Sequence, residues 1–214
     1  MFNTFPTPEN FSVAMQIPAR VLALDAPAPI ARAFATRALA QSGLRGASVG
    51  VILGDNYFDA YALARVARAA QRDPATILAR IELSRAFTCY QLHHRIATLN
   101  DTHLNRWRAL YVTGLLDPFY DESVEYAEAA HLLQETLARL KHIAARGVPV
   151  LVTLSPSKLK TRAGLAQLAA QNVEAYWRIE SPPIATQTEM TFARLKGTAH
   201  GTNAPDLDAT HSRI

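Results

Sequence analysis

Short apolar runs alternate with longer stretches of helical period along this chain. Val21–Leu24 is a brief apolar run, and Pro29–Ala40 reads as a helix with proline in its first turn. Ala47–Leu53 (ASVGVIL) is rich in β-branched residues and follows a glycine, the signature of a buried strand. Tyr57–Ala70 places Leu63, Val66, Ala67 and Ala70 on one face of an amphipathic helix. Asp73-Pro74 reads as an N-cap followed by proline at the first helical position. Ile81–Leu83 is a short strand and Thr88–Leu99 a helix; Arg108–Val112 is a strand and Ser123–Arg146 a long helix closed by Gly147. Val148–Thr153 is the next strand, and Glu174–Glu180 with Thr188–Leu195 reads as a closing hairpin.

Strands separated by helices imply crossover connections and a mostly parallel sheet with helices on both faces. The final pair is expected to add an antiparallel C-terminal edge. The fold class expected is therefore α/β, a three-layer sandwich. Residues 1–17 read as an N-terminal extension, 18–197 as one core domain and 198–214 as a polar tail expected to be disordered.

Composition narrows the picture modestly. The 214 residues include 22 basic and 18 acidic side chains, a net charge of +4, which allows contact with nucleic acid without requiring it. A single cysteine, Cys89, rules out an internal disulfide and suits a reducing compartment, and the first ten residues lack the apolar stretch of a signal peptide. With no apolar run near the roughly 18 residues that a span needs, a cytoplasmic protein without a membrane partner is expected.

The segment Val49–Ile96 resembles the ATPase core of RecA-type recombinases of the archaeal and eukaryotic, RadA-like branch. Its ordered features are Asp55 to Phe58, Leu63 to Ala70, Asp73-Pro74, Arg85-Ala86-Phe87 and Gln91 to His94, and a weaker match continues to Val148–Thr153. The resemblance implies a RecA-like P-loop NTPase-type sandwich. It also implies four chemical positions, and the chain departs at nearly all of them. The phosphate loop falls on Asp25, Ala26, Pro27, Ala28, Pro29, Ile30, Ala31 and Arg32, with no glycine and no lysine. Such a loop works by closing backbone N–H groups around phosphate, with lysine reaching the outer phosphates. Two prolines remove donors, and Asp25 brings negative charge. Thr113 stands where a magnesium-holding aspartate is implied, Asp55 where the catalytic glutamate is, and Leu154-Ser155 where a γ-phosphate-sensing Asn-Gln pair is. The expectation is a degenerate member without ATP hydrolysis and without a cofactor.

Other residues suggest contacts. Lys158, Lys160 and Arg162 follow the last core strand, where the resemblance implies a DNA-binding loop; a helix N-terminus with a solvated basic face is the plainer reading. The second such loop falls on Leu115–Ser123, whose Asp117, Asp121 and Glu122 disfavour DNA, so Phe119 and Tyr120 are candidates for protein contact. Phe11-Ser12-Val13-Ala14 has the Phe-x-x-Ala spacing of the polymerisation element implied by the resemblance, which makes Phe11 and Ala14 candidates for self-assembly or partner docking. His93 and His94, with His103 nearby, raise the idea of a metal, but adjacent histidines on a helix point about 100° apart and no H-x-x-x-H pair is present, so no metal site is expected. Cys89 at a helix start is either activated or simply packed.

The expected function is that of a pseudo-ATPase, an accessory factor in DNA recombination or repair that binds a RecA-type homologue, another repair protein, DNA, or an oligomeric partner. A protein-interaction module unrelated to DNA, of the kind seen in cell-division inhibitors, is the alternative. A nucleotide-binding enzyme with a different phosphate loop is the weaker one.

Overall fold

The computed structural model describes residues 20–157 and 159–179. Six strands form one sheet in the order β3-β2-β4-β5-β1-β6, with β1 at Val21–Asp25, β2 at Val49–Leu53, β3 at Ile81–Arg85, β4 at Ala109–Thr113, β5 at Val150–Leu154 and β6 at Ala175–Arg178. Every pairing is parallel; Leu24 lies opposite Thr153 on one side and Trp177 on the other. The strand expected at Glu174–Glu180 is therefore present as β6, but it joins β1 in parallel. Its supposed hairpin partner, Thr188–Leu195, lies outside the described residues.

The helices are α1 (Ala28–Leu44), α2 (Ala60–Ala69), α3 (Pro74–Leu78), α4 (Cys89–Ala97), α5 (Asp101–Arg106), α6 (Tyr126–Ala145) and α7 (Ala163–Gln171). Alternate strand residues face two separate cores. Leu22, Leu24, Val49, Val51, Leu53, Tyr111 and Leu151 pack with α1 and α2. Val21, Ala23, Ile52, Leu110, Val112, Val150, Val152 and Leu154 pack with α4, α5, α6 and α7. Both faces are covered, which is why β1, β2, β4 and β5 are buried along their whole length and are apolar apart from Asp25, Thr113 and Thr153 near their carboxyl ends. The edge strand β3 is only half-buried and carries Glu82 and Arg85.

Local chemistry explains the boundaries. Asp59 accepts from the Ala62 amide and starts α2 there, after Asn56 takes a left-handed turn at φ 52°, so the helix begins three residues later than its apolar period suggests. Asp73 and Thr88 cap α3 and α4. Asn100 and His103 form a capping box that starts α5, a helix too short to show a period. The helix after β5 begins at Ala163 and not at the Ser-Pro-Ser stretch. A 3-10 turn at Lys160–Arg162 precedes it. Among the described residues, no helix is long and apolar enough to cross a membrane.

Gly50, at the centre of β2, shows how tightly one layer sits. A Cβ there would lie 2.6 Å from two atoms of the Trp107 ring, which is 6% exposed. Trp107 is held from its other side by Glu82, which accepts from Nε1 at 3.2 Å and pairs with Arg106 at 2.6 Å. Gly50→Ala is expected to lower unfolding stability by about 1–3 kcal/mol through overpacking, and Trp107→Leu in the Gly50→Ala background to lower it by less than in the parent. Urea titration of the four proteins measures both.

Candidate functional site

In an open parallel sheet the carboxyl ends of the strands are where a ligand is met. Here that edge gathers Asp25 from β1, Gly54-Asp55 after β2, Thr113-Gly114 from β4, Ser155 after β5 and Arg178 from β6. Most of the residues singled out from the sequence are at this edge, although their surroundings differ from the expectation.

The phosphate-loop positions do not form a loop. Asp25 ends β1 and Ala28 begins α1, so only Ala26 and Pro27 lie between strand and helix. The Ala26 amide donates to Leu154 O at 3.1 Å, and those of Ile30 and Ala31 donate to Pro27 O at 2.9 and 3.0 Å. Pro27 and Pro29 have no amide hydrogen, leaving the Ala28 N–H as the free donor among residues 26–31. A triphosphate needs several convergent amides and a bound cation. This junction does not fit one.

Two acids at the edge are already neutralised. Asp25 is buried; its carboxylate accepts from the Tyr176 hydroxyl and from Arg178 Nε at 3.0 Å, and Arg178 also donates to the Tyr176 oxygen at 2.8 Å. The negative charge therefore turns toward β6 and is met there. Asp55, its side chain 5% exposed, pairs with Arg32 Nε at 2.9 Å and accepts from the Thr113 hydroxyl at 3.0 Å. The Arg32 guanidinium also lies 4.6 Å from the Tyr57 ring centroid. Arg32, Asp55 and Thr113 thus come together, as one closed hydrogen-bonded unit. The cavity they line with Tyr57 and Leu63 measures only about 10 Å³, room for one water at most.

Two glycines make this closure possible. Gly114 is left-handed at φ +58°, and a Cβ on it would come within 2.4 Å of Asp55 Cβ. A Cβ on Gly54 would come within 2.4 Å of the Gly114 carbonyl oxygen, and the Gly54 amide donates to Thr113 O at 2.7 Å. The turns after β2 and β4 are therefore in backbone contact.

Asp117 adds a third acid. It opens the 3-10 turn Asp117–Tyr120, and burial, reinforced by the charge of Asp55 and opposed by Arg32, pushes its carboxyl up to about 6. Tyr120 donates to Ser155 O at 2.7 Å, and burial together with Asp117 raises its hydroxyl well above the usual value.

The remaining candidates fall out differently. Phe119 is completely buried and Tyr120 half-buried, so the acidic loop folds its aromatic residues onto the core. Arg162 is 4% exposed; it donates to the carbonyls of Asp121 and Val124 and sits 6.0 Å from the Tyr126 ring centroid, which ties α7 to the start of α6 and removes it from any phosphate contact. Lys160 is exposed on its 3-10 turn. Lys158, Phe11 and Ala14 lie outside the described residues. Cys89 is buried, and burial raises its thiol despite the helix start. His93 contacts Thr136 of α6 at 3.2 Å, and His103 is engaged by Asn100.

Arg178 and Tyr176 were not read from the sequence as site residues. They meet Asp25 across about 150 residues of chain, a pairing that only strand order creates.

No protein-family model matches this chain, and no curated protein matches it.

The raised Asp117 carboxyl makes stability depend on pH. An unfolded aspartate ionises near 4, the folded one near 6, so the folded state binds more protons between these values and stability falls as pH rises through that window. Asp117→Asn carries no such penalty. It is expected to be more stable than the parent by about 1–2 kcal/mol at pH 7.5 and nearly equal to it at pH 4, the partial exposure reducing the full linkage value. Urea unfolding at the two pH values tests this; an equal difference at both would refute the assignment.

Proposed function

We propose that this protein is a RecA-like α/β scaffold without ATP turnover, which acts through binding as an accessory factor in DNA recombination or repair. The observation that carries the reading is the junction after β1. Two residues join strand to helix, the neighbouring amides are spent on Leu154 and Pro27, and the acids of the edge are paired with Arg178 and Arg32. Phosphoryl transfer depends almost wholly on positioning and charge neutralisation of the phosphates. Arg32 is the cation nearest to that role, and Asp55 already holds it.

The strand order lends further support. β1 lies inside the sheet, flanked by β5 and β6, and the ends of β2 and β4 meet on the far side of β5. This is the arrangement in which the four positions implied by the RecA resemblance converge on one edge. The order differs from the 3-2-1-4-5-6 of dinucleotide-binding sheets. The scaffold is kept while its phosphate-handling groups are replaced by residues that bond to one another, which favours a role in binding over one in catalysis.

The purified protein is expected to show no magnesium-dependent ATP hydrolysis above a buffer blank and no heat on titration with ATP and magnesium. Asp55→Ala, which frees Arg32, is expected to leave hydrolysis at the blank and to cost about 1–3 kcal/mol of stability. Turnover by the parent that Asp55→Ala abolishes would overturn the proposal.

A further inference from the structure

The charge of this protein is concentrated on one of its two helical faces. Residues 26–80, which build α1, α2, β2 and α3, contain seven arginines and three aspartates. Their net charge of +4 equals that of the whole chain, so the remainder is neutral. All three aspartates have local duties: Asp55 pairs with Arg32, Asp59 caps α2, and Asp73 caps α3. Arg80 donates to the Gly46 carbonyl at 2.8 Å. That leaves Arg37, Arg45, Arg65, Arg68 and Arg72, each exposed and without an acidic partner among the described residues.

Their placement is ordered. On α2, Tyr61, Arg65 and Arg68 stand at i, i+4 and i+7, a single exposed stripe, and Tyr61 is 85% exposed. Helices α1 and α2 run side by side in the same direction, and an open groove lies at each end of their seam. One, of about 510 Å³, is lined by Arg37 and Arg65 together with Tyr57. The other, of about 430 Å³, is lined by Arg45, Arg72 and Arg80. The two grooves, with Arg68 between them, make a track along the seam. The opposite face has no equivalent: α6 intersperses Glu128 and Glu135 with Arg139 and Lys141.

We propose that the outer face of α1, α2 and α3 is a binding surface for single-stranded nucleic acid, with the phosphate backbone along the arginine track and bases stacked at its Tyr57–Tyr61 end. The arginines outnumber the two cap acids, Asp59 and Asp73, that also line the grooves, and such a cationic excess calls for a polyanion. Guanidinium groups suit phosphate because their planar fork bonds two oxygens at once. Exposed tyrosines beside a basic groove supply the flat apolar platform that unpaired bases require and that an acidic peptide or a lipid headgroup does not. The proposal rests on this face alone, independent of whether the chain handles ATP.

The test is fluorescence anisotropy of a labelled oligothymidine against the full chain at two salt concentrations. The parent is expected to bind with a steep salt dependence. Arg65→Glu with Arg68→Glu is expected to weaken binding at least about tenfold and to flatten the slope of log affinity against log salt by about 1.4, two single-strand phosphate contacts. The charge-matched control, Arg95→Glu with Arg146→Glu, lies on α4 and at the end of α6 and is expected to stay within about twofold of the parent. Tyr61→Ala is expected to weaken binding about fivefold or more, with Tyr61→Phe close to the parent. All the substituted positions are exposed, and thermal melts establish that each variant is folded. Absence of binding at low salt, equal loss in both double variants, no effect of Tyr61→Ala, or tighter binding to polyglutamate or phosphatidylserine vesicles than to the oligonucleotide would each overturn the proposal.

Discussion

The chain passes from β1 to α1 in two residues, and much of the sheet's carboxyl edge follows from that. A short junction brings the first turn of α1 close to the strand ends. Pro27 then supplies the carbonyl that holds the Ile30 and Ala31 amides, and Arg32, one turn in, reaches Asp55 across the gap. A longer, glycine-rich connection would leave amides pointing into the edge. This one uses them up, so the edge is held together by protein groups where another protein of similar architecture would hold a ligand.

The same edge solves a charge problem. Asp25 and Asp55 sit with little exposure at the ends of buried strands, where an unpaired carboxylate is costly. Each has a guanidinium partner and a hydroxyl donor: Arg178 and Tyr176 for one, Arg32 and Thr113 for the other. Asp117 sits beside this arrangement, where burial first and the charge of Asp55 second, opposed by Arg32, hold its proton more tightly. Thr113 thereby has a plain structural role, donating to Asp55 while the following Gly114 lets the two turns touch.

The two helical layers differ in a way that burial does not require. Both cover the sheet with apolar side chains, yet the α4–α7 layer balances its charges and the α1–α3 layer does not. Outward-facing positions are free of packing constraints. A consistent sign over two helices and two grooves therefore reflects what this face meets in solution more than what the fold needs.

By itself the sequence determined the element types and the layering, because covered parallel strands must be apolar on both sides and crossover helices must keep a 3.6-residue period. It also determined the cap at Asp73, which depends on residues only a few positions apart. The α2 stripe of Tyr61, Arg65 and Arg68 was equally present there, though nothing local showed that α1 would bring a second set of arginines alongside it. Only the tertiary structure decided which charges are free. Arg162 looked like a phosphate contact and is buried on backbone carbonyls; Phe119 looked like a contact residue and is core; Asp25 looked like a loop acid and is a strand end met by Arg178. These outcomes turn on partners tens to more than a hundred residues away, and a linear pattern carries no information about strand order, which alone sets who stands beside whom.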